Sequence, residues 1–254
     1  MELLTSRKNQ IILHLKNLSA DGAYRRETGE FICDGEKLLK EALEFKAEVI
    51  CVLWGGEPTF ALPEEIVQYT CSQELMQSIS PLKNSRGPVF SVKTPQDCFN
   101  AERKTQVTNA IVLENVQDPG NVGTVIRTAS AMGTDVVILV GDCADLYSPK
   151  TVRASMGGIF RQAVLEMSVD ELNNYVNQNS LRLYGACLSD NADDIRNVEM
   201  HSLAVAVGSE GKGLSDEILN ICSGQLIIPM RPDSESLNAA VAASIIMWEL
   251  NRCR

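Results

Sequence analysis

The stretch LENVQDPGNVGTVIRTASAMG, residues 113–133, carries the pattern on which the fold prediction depends. The apolar run at 110–113 predicts a strand. A helical pattern follows and is expected to carry Arg127 inward. Turn chemistry explains the glycines and the proline of the intervening loop. It does not explain an arginine early in the helix, so Arg127 is a candidate functional residue. The loop between strand and helix contains Asn115, Asp118, Pro119, Gly120, Asn121 and Gly123.

The same alternation of apolar run, turn and helical pattern continues to the C-terminus. Continuous apolar runs between helices are typical of strands that are covered on both faces, so the pattern predicts an α/β domain with a parallel sheet over 109–254. The predicted strands are 110–113, 136–140, 183–187, 203–207 and 226–228.

Residues 1–95 have a more mixed pattern, which predicts a smaller α/β unit ahead of the main domain. Residues 96–108 are polar and aperiodic, and they are predicted to be a linker. The elements expected in the first unit are a helix at 10–18, a polar loop at 24–29, a strand at 31–33, a helix at 35–45 and a strand at 48–54.

Composition limits the class of protein. The chain has 254 residues and is 44% apolar, which suits one large or two modest globular domains. No apolar run approaches the roughly 18 residues of a membrane span, and the N-terminus lacks a secretory pattern, so a cytoplasmic protein is expected. The net charge of -10 argues mildly against nucleic-acid binding. However, basic residues cluster locally, at Arg7–Lys8, Lys16, Arg25–Arg26 and Arg153–Arg161.

The eight cysteines are scattered and form no CxxC pair, and the only two histidines are His14 and His201. This pattern argues against a zinc site and a disulfide scaffold, so no metal is predicted and free thiols in a reducing compartment are expected. It also leaves little material for a Cys–His or Ser–His nucleophile.

Two further loops follow predicted strands, and in an open α/β sheet that edge is where ligands bind. In AVAVGSEGKGLSDEI (204–218), the P-loop spacing fails, because Leu214 follows Gly213 where a P-loop needs lysine. The GxGxxG spacing also fails, because Leu-Ser-Asp follows Gly213. A plain turn and a ligand loop both stay open for this segment. In IIPMRPDSESLNAAVAASIIMWEL (227–250), Ser236 and Asn238 are either helix caps or site residues. The helix after them is apolar on every side, which predicts burial.

Together, the three loops resemble the three motifs of the SpoU-type (TrmH-like) RNA 2′-O-ribose methyltransferases of the SPOUT superfamily. The likeness is close over 109–252, and VRASMGGIF (152–160) also resembles the family. The segment YRRETGEFICDG (24–35) is similar to a substrate-recognition domain resembling small ribosomal proteins. Two departures are Asp34, where glutamate is usual, and 231–233, where a glycine is more usual. The three motifs are 121–127, 208–214 and 228–230 with 236–238.

The resemblance implies a fold, a partner and a reaction. The fold is an α/β domain with a C-terminal trefoil knot, and the partner is a second copy, with each active site at the dimer interface. The reaction is methyl transfer from S-adenosylmethionine to a ribose 2′-hydroxyl of structured RNA, with ribosomal RNA favoured. The alternatives are a transfer-RNA 2′-O-methyltransferase, a SPOUT-fold RNA-binding protein without catalysis, and a nucleotide-dependent α/β enzyme, against which the failed spacings count.

The resemblance also implies roles for individual residues. Arg127 is the main catalytic arginine, oriented by Glu210; the alternative is an Arg127–Glu210 salt bridge without substrate contact. Because arginine stays protonated in proteins, we expect it to clamp a phosphate and stabilise alkoxide charge rather than act as a base. The other implied catalytic residues are Asn121, Ser236 and Asn238. Cofactor binding is assigned to Gly208, Ile228, Leu237, Leu188, Met230 and Gly211, and RNA contact to Arg25, Arg26 and Arg153.

Overall fold

The structure is a computed structural model that describes residues 1–80, 85, 87–95, 107–189, 191–231 and 236–252. Two sheets organise these residues. In chain order, the elements are β1 (Glu2–Leu4), α1 (Gln10–Ala20), α2 (Gly22–Thr28), β2 (Glu30–Asp34), α3 (Glu36–Glu44), β3 (Val49–Trp54), β4 (Val67–Cys71), α4 (Gln73–Gln77), β5 (Val89–Lys93), β6 (Asn109–Glu114), α5 (Pro119–Met132), β7 (Val136–Val140), α6 (Pro149–Ala154), β8 (Val164–Met167), α7 (Val169–Gln178), β9 (Arg182–Ala186), β10 (Asp193–Asp194), β11 (Leu203–Val207), α8 (Asp216–Ile221), β12 (Gly224–Ile227) and α9 (Ala239–Asn251).

Elements β1 to β5 form the N-terminal unit, residues 2–93. Its sheet has the order β1-β4-β3-β5-β2 and is mixed, because β5 runs antiparallel to both neighbours. The predicted helix at 10–18 is confirmed as α1, which Asn9 caps and whose apolar stripe is buried. Strands β1, β4 and β5 were not predicted. The predicted linker, 96–108, lies outside the described residues except for its last two positions.

The predicted loop at 24–29 is wrong, because this segment is helix α2. The Asp21 side chain accepts the backbone N–H groups of Ala23 and Tyr24, and Gly29 ends the helix at a φ of 64°. A capping aspartate and a left-handed glycine are strong helix boundaries, and they outweigh the polar composition between them.

Elements β6 to α9 form the C-terminal unit, residues 109–251. Its seven strands have the order β10-β12-β9-β11-β6-β7-β8, and every neighbouring pair is parallel. The predicted parallel sheet is therefore confirmed. The two strands that the pattern missed, β8 and β10, are the edge strands, which are partly exposed and lack a continuous apolar run.

Helix α5 begins after Asp118, whose carboxylate accepts the N–H groups of Gly120 and Asn121. The helix buries Val122, Val125, Ile126 and Ala129 against the core. The prediction that this helix carries Arg127 inward is wrong, because Arg127 lies on its exposed side. Helical geometry places position 127 well away from the direction of that buried stripe.

Helix α9 was predicted to be buried on every side, and that prediction is also wrong. Its inner face is buried, but Val241 is 47% exposed and Trp248 is 61% exposed. The other described residues leave these apolar side chains uncovered.

A single apolar cluster runs from the N-terminal unit into the C-terminal unit. At the junction, the Phe31 ring lies 4.7 Å from that of Tyr147 and 6.3 Å from that of Phe160, centroid to centroid. The two units are therefore packed against each other. None of the helices formed by the described residues combines the length and apolar character that a bilayer crossing requires.

Candidate active site

A cavity of about 390 Å³ opens at the carboxyl edge of the parallel sheet. The loops after β9, β11 and β12 and the start of α9 enclose it, as expected for ligand sites in open α/β sheets. Its volume falls in the range of roughly 300–1,000 Å³ that is usual for small-molecule pockets. The lining is formed by Ala186, Cys187, Leu188, Val207, Gly208, Ser209, Glu210, Gly213, Leu226, Ile227, Ile228, Met230, Ser236, Leu237, Ala239 and Ala242.

Five of the six predicted cofactor residues line this cavity: Gly208, Ile228, Leu237, Leu188 and Met230. The sixth, Gly211, lies in the same loop as Gly208. It is exposed, and a Cβ added there would meet no atom within 4 Å. Sequence reasoning missed Cys187 and Ala242, among others. The position of Cys187 directly after a strand was a usable signal, whereas nothing in the α9 pattern distinguishes Ala242.

Glycine is required at position 208 for a structural reason that the sequence did not reveal. A Cβ at this position would lie 2.1 Å from the Gly213 carbonyl oxygen, so only glycine lets the 208–213 loop close. Gly213 has a φ of 67°, which also favours glycine. These two glycines allow the chain to approach itself, and the loop they close presents Glu210 at the cavity.

Glu210 gathers three donors from two helix starts. Its Oε1 accepts the Asn121 Nδ2–H at 2.6 Å, the Asn238 Nδ2–H at 2.9 Å and the Ala239 backbone N–H at 3.3 Å. Asn238 Nδ2 also donates to Asn121 Oδ1 at 3.0 Å. Hydrogen bonds to a carboxylate are stronger than those between neutral groups, so this cluster fixes both amides at the edge of the cavity.

Asn238 serves as both cap and site residue. Its Oδ1 accepts the N–H groups of Ala240 and Val241 while its amide nitrogen contacts Glu210. Ser236 lines the cavity and has an exposed side chain. The two interpretations of Asn238 that the sequence left open are thus compatible, because opposite ends of one amide perform them.

Arg127 is not part of this cluster. Glu210 bonds Asn121 and Asn238 instead, so neither the predicted orientation of Arg127 by Glu210 nor the alternative salt bridge is formed. Among the residues that the structure describes, none gives the Arg127 guanidinium a hydrogen bond or an ion pair. Arg127 follows Asn121 on α5 by six residues, a rise of about 9 Å.

Of the three predicted RNA contacts, Arg25 needs correction. It is 7% exposed, and its guanidinium donates to Asp145 Oδ2 at 2.6 Å and to the Leu18 carbonyl oxygen at 2.6 Å. This side chain joins the two units and is not free to meet a phosphate. Arg26 and Arg153 are exposed, and their contact with RNA stays a prediction.

Two carboxyl groups, Asp118 at the start of α5 and Asp34 on β2, have shifted pKa values. The pKa of Asp118 is lowered, chiefly by the Asn121 backbone N–H and then by Lys150, which lies 3.2 Å away. The pKa of Asp34 is raised by burial, against the lowering effect of hydrogen bonds from Ser80 and Ser85. Asp34 lies with Arg153 on the lining of a small cavity between the two units.

The cysteines that the structure describes have thiols that stay protonated and therefore react slowly. The six described cysteines are free, and burial raises the pKa of each thiol, as for Cys222, where it reaches about 12. Within the same residues, no group of histidine, cysteine, aspartate or glutamate side chains has the arrangement of a metal site.

Comparison with known proteins identifies the class that this fold and site define. Residues 108–248 match the SpoU rRNA Methylase family. The match covers more than half of the chain and includes all three loops. The chain belongs to the SpoU rRNA methylase family, and the family prediction is confirmed.

Individual relatives extend the likeness over the whole chain. The 23S rRNA (guanosine(2553)-2′-O)-methyltransferase RlmP of Bacillus subtilis is 30% identical over 252 residues, covering 98% of this chain and 99% of the relative. A crystal structure of an RNA 2′-O ribose methyltransferase superposes with a TM-score of 0.81 at 27% identity, covering 99% of this chain and 98% of that one. The predicted enzyme class, an S-adenosylmethionine-dependent RNA 2′-O-methyltransferase, is confirmed.

The fold is also shared with a cofactor complex. The AdoMet-bound rRNA methyltransferase of Sinorhizobium meliloti has a TM-score of 0.87 at 24% identity, covering 99% of this chain and 97% of that one. The α/β fold with a parallel sheet is therefore that of the SpoU methyltransferase structures.

Proposed function

We propose that this protein methylates a ribose 2′-hydroxyl of ribosomal RNA, with S-adenosylmethionine as donor. The observation that carries the proposal is the Glu210 carboxylate, which holds the amides of Asn121 and Asn238 at the edge of the cavity. The Bacillus subtilis relative, named for 23S rRNA, supports ribosomal RNA over transfer RNA.

The cavity suits S-adenosylmethionine. Apolar side chains from three loops, among them Leu188, Ile228 and Leu237, offer surfaces for an adenine ring. Glu210 and Ser236 place polar groups at the same cavity, where the charged part of the cofactor needs partners. When bound, the cofactor would supply an electrophilic methyl group: the methyl C–S bond breaks as the O–C bond forms, the sulfur leaves as a neutral thioether, and the 2′-hydroxyl proton passes to solvent.

The residues of this chain position the acceptor and stabilise its charge. The amides of Asn121 and Asn238 are held in place and orient the ribose, together with Ser236. Arg127 keeps its proton, clamps the neighbouring phosphate and stabilises negative charge on the 2′-oxygen. Holding the acceptor oxygen in line with the methyl group supplies most of the rate enhancement, because the transfer is a displacement between two positioned groups.

The active protein that we propose is a homodimer. A second cavity, of about 420 Å³, lies beside the exposed face of α9 and is lined by Asn121, Asn238, Val241 and Trp248, among others. This apolar face borders the Glu210 cluster, and Arg127 is not among the described residues lining the cofactor cavity of its own chain. Both observations support a site in which Arg127 of the partner subunit faces the cofactor.

The remaining parts of the resemblance are proposals of the same kind. We assign residues 1–95 to RNA binding and 109–254 to catalysis, with Arg26 and Arg153 as phosphate contacts. We also propose the C-terminal trefoil knot; the bond from Ala239 N–H to Glu210, which brings the start of α9 against the 208–213 loop, supports it. The free thiols of the described cysteines suit the reducing cytoplasm.

The test is transfer of tritiated methyl from S-adenosylmethionine to cellular RNA, with ribosomal and transfer fractions separated before digestion to nucleosides. We expect label in a 2′-O-methyl nucleoside of the ribosomal fraction only. Assembling ribosomal particles are assayed in parallel, since they present RNA surfaces that the mature particle buries.

Any other distribution of the label would change the proposal. Label confined to the transfer fraction would replace the proposed substrate and keep the chemistry. Label in a base rather than a ribose would overturn the assigned reaction. No label in any fraction, despite cofactor binding by calorimetry, would favour a non-catalytic RNA-binding protein.

A further inference from the structure

The turn at 156–161 connects the helix of the catalytic arginine to the N-terminal unit. Arg161 makes the connection with three hydrogen bonds. Its Nε donates to Ser130 Oγ at 3.0 Å, its Nη1 to Glu41 Oε2 at 2.6 Å, and its Nη2 to the Met156 carbonyl oxygen at 3.4 Å. One guanidinium thus ties together α5, its own turn and α3.

The turn also packs directly on the backbone of α5 beside Arg127. A Cβ at Gly158 would lie 3.3 Å from the Arg127 Cα and 3.3 Å from the Ile126 carbonyl oxygen. Arg127 and Ser130 are three residues apart, so they share one side of the helix. The same short segment therefore holds the backbone at Arg127 and a side chain one turn later.

Glu41 holds the turn from the other side. Its carboxylate lies against Gly157, where a Cβ would come within 2.8 Å of Oε2. The side chains of Glu41 and Arg161 are 18% and 32% exposed. Partial burial weakens solvent screening of this pair relative to a fully exposed pair.

We propose that Arg161 and Glu41 are positioning residues for methyl transfer. The N-terminal unit carries Glu41, and α5 carries Arg127, so the Glu41–Arg161 pair transmits the docked position of the RNA-binding unit to the catalytic arginine. This inference rests on the proposed role of Arg127. It adds two residues from outside the three motif loops to the machinery of the reaction.

The interface provides a matched control. Arg25 and Asp145 form a second ion pair across the same junction, with an Nη2–Oδ2 distance of 2.6 Å. The contacts of Arg25 are Asp145 and the Leu18 carbonyl, neither of which belongs to α5. Removing this pair weakens docking of the two units without releasing Ser130.

The experiment compares the variants Arg161→Gln, Glu41→Gln and Arg25→Gln of the 254-residue chain, with Arg161→Lys as the conservative variant. For Arg161→Gln and Glu41→Gln, we expect kcat to fall about 10- to 100-fold, since small misplacement of a catalytic group has losses of this size. The Kd for S-adenosylmethionine should stay within about twofold, because no motif loop is touched. Arg161→Lys should recover part of kcat, since one ammonium can pair Glu41 but cannot span all three acceptors.

A second measurement reports the position of α5 without using activity. Hydrogen exchange of the peptide that covers 125–132 should become faster in Arg161→Gln and stay unchanged in Arg25→Gln. The double variant Glu41→Gln/Arg161→Gln should be no slower in turnover than Arg161→Gln alone, because both residues act through one contact.

Three results would overturn the inference: an equal fall in kcat for Arg25→Gln and Arg161→Gln, additive losses in the double variant, or unchanged exchange at 125–132. Failure of the proposed function is distinguishable, since the wild-type protein would then transfer no methyl group to RNA while the exchange data still report on α5.

Discussion

Arg127 places a charged guanidinium on the surface of α5, and none of the described residues pairs with it. An arginine without a partner among the described residues is suited to an incoming phosphate, which its planar fork binds bidentately. Asn121 on the same helix, by contrast, is hydrogen-bonded to Glu210 and Asn238. The two residues therefore serve different partners.

Substitution of Arg127 tests this division. We expect Arg127→Ala to lower methyl transfer at least about 100-fold, the loss usual for a group that stabilises developing charge. The Kd for S-adenosylmethionine, measured by calorimetry, should be nearly unchanged, because Arg127 is not among the described residues that line the proposed cofactor cavity.

Arg127→Lys is the matched variant, because it keeps the charge and loses the fork. We expect it to recover only part of the activity. Loss of cofactor binding together with activity in Arg127→Ala would show that the role assigned to this side chain is wrong.

Helices α5 and α6 approach each other so closely that one position admits no side chain. A Cβ at Gly123 would lie 2.5 Å from both the Ala154 Cβ and the Thr151 carbonyl oxygen. Packing at this crossing fixes α5 from one side, as the 156–161 turn does from another. Both contacts fix the part of α5 that carries Arg127.

Gly123→Ala separates packing from helix propensity. Alanine normally stabilises a helix interior by about 0.5–1 kcal/mol over glycine. Here we expect the opposite sign, a loss of about 1–3 kcal/mol in the free energy of unfolding, because the crossing is overpacked. Urea denaturation measures the difference.

Gly211→Ala is the control, since no atom lies within 4 Å of its added Cβ. Its free energy of unfolding should stay within about 0.5 kcal/mol of the wild-type value, as for most surface substitutions. A stabilised Gly123→Ala variant would mean that the two helices separate easily.

At the scale of the whole molecule, the described residues leave an apolar face of α9 uncovered. Trp248 is 61% exposed and shares a cavity with Asn121 and Asn238. Exposed apolar patches of this kind mark interaction sites, and the position of this one beside Asn121 and Asn238 supports the proposed second copy.

Trp248→Glu is expected to convert the protein to a monomer in analytical ultracentrifugation and to abolish methyl transfer, because a charge would be buried unpaired at the interface. Leu3→Glu is the control: Leu3 is also apolar and 65% exposed, but it lies on β1 of the N-terminal unit. It should leave mass and activity unchanged. A Trp248→Glu variant that stays dimeric would place the interface elsewhere.

The sequence by itself determined the parallel sheet, the three loops at its edge and the residues of the Glu210 cluster. Strand and helix periodicity is written in neighbouring residues, and the motif spacings lie within single loops. The signal for helix α2, which was wrongly predicted to be a loop, was also local, because its boundary residues Asp21 and Gly29 are visible in the sequence.

Only the tertiary structure decided which of these residues meet. Glu210 bonds Asn121 from 89 residues away, and Arg25 is buried by Asp145 from 120 residues away. The exposure of Arg127 and Trp248 was equally unreadable from helical patterns. Such contacts depend on strand order and on how the two units pack, and local periodicity does not specify either, because it records which face of an element is apolar and not which distant element covers that face.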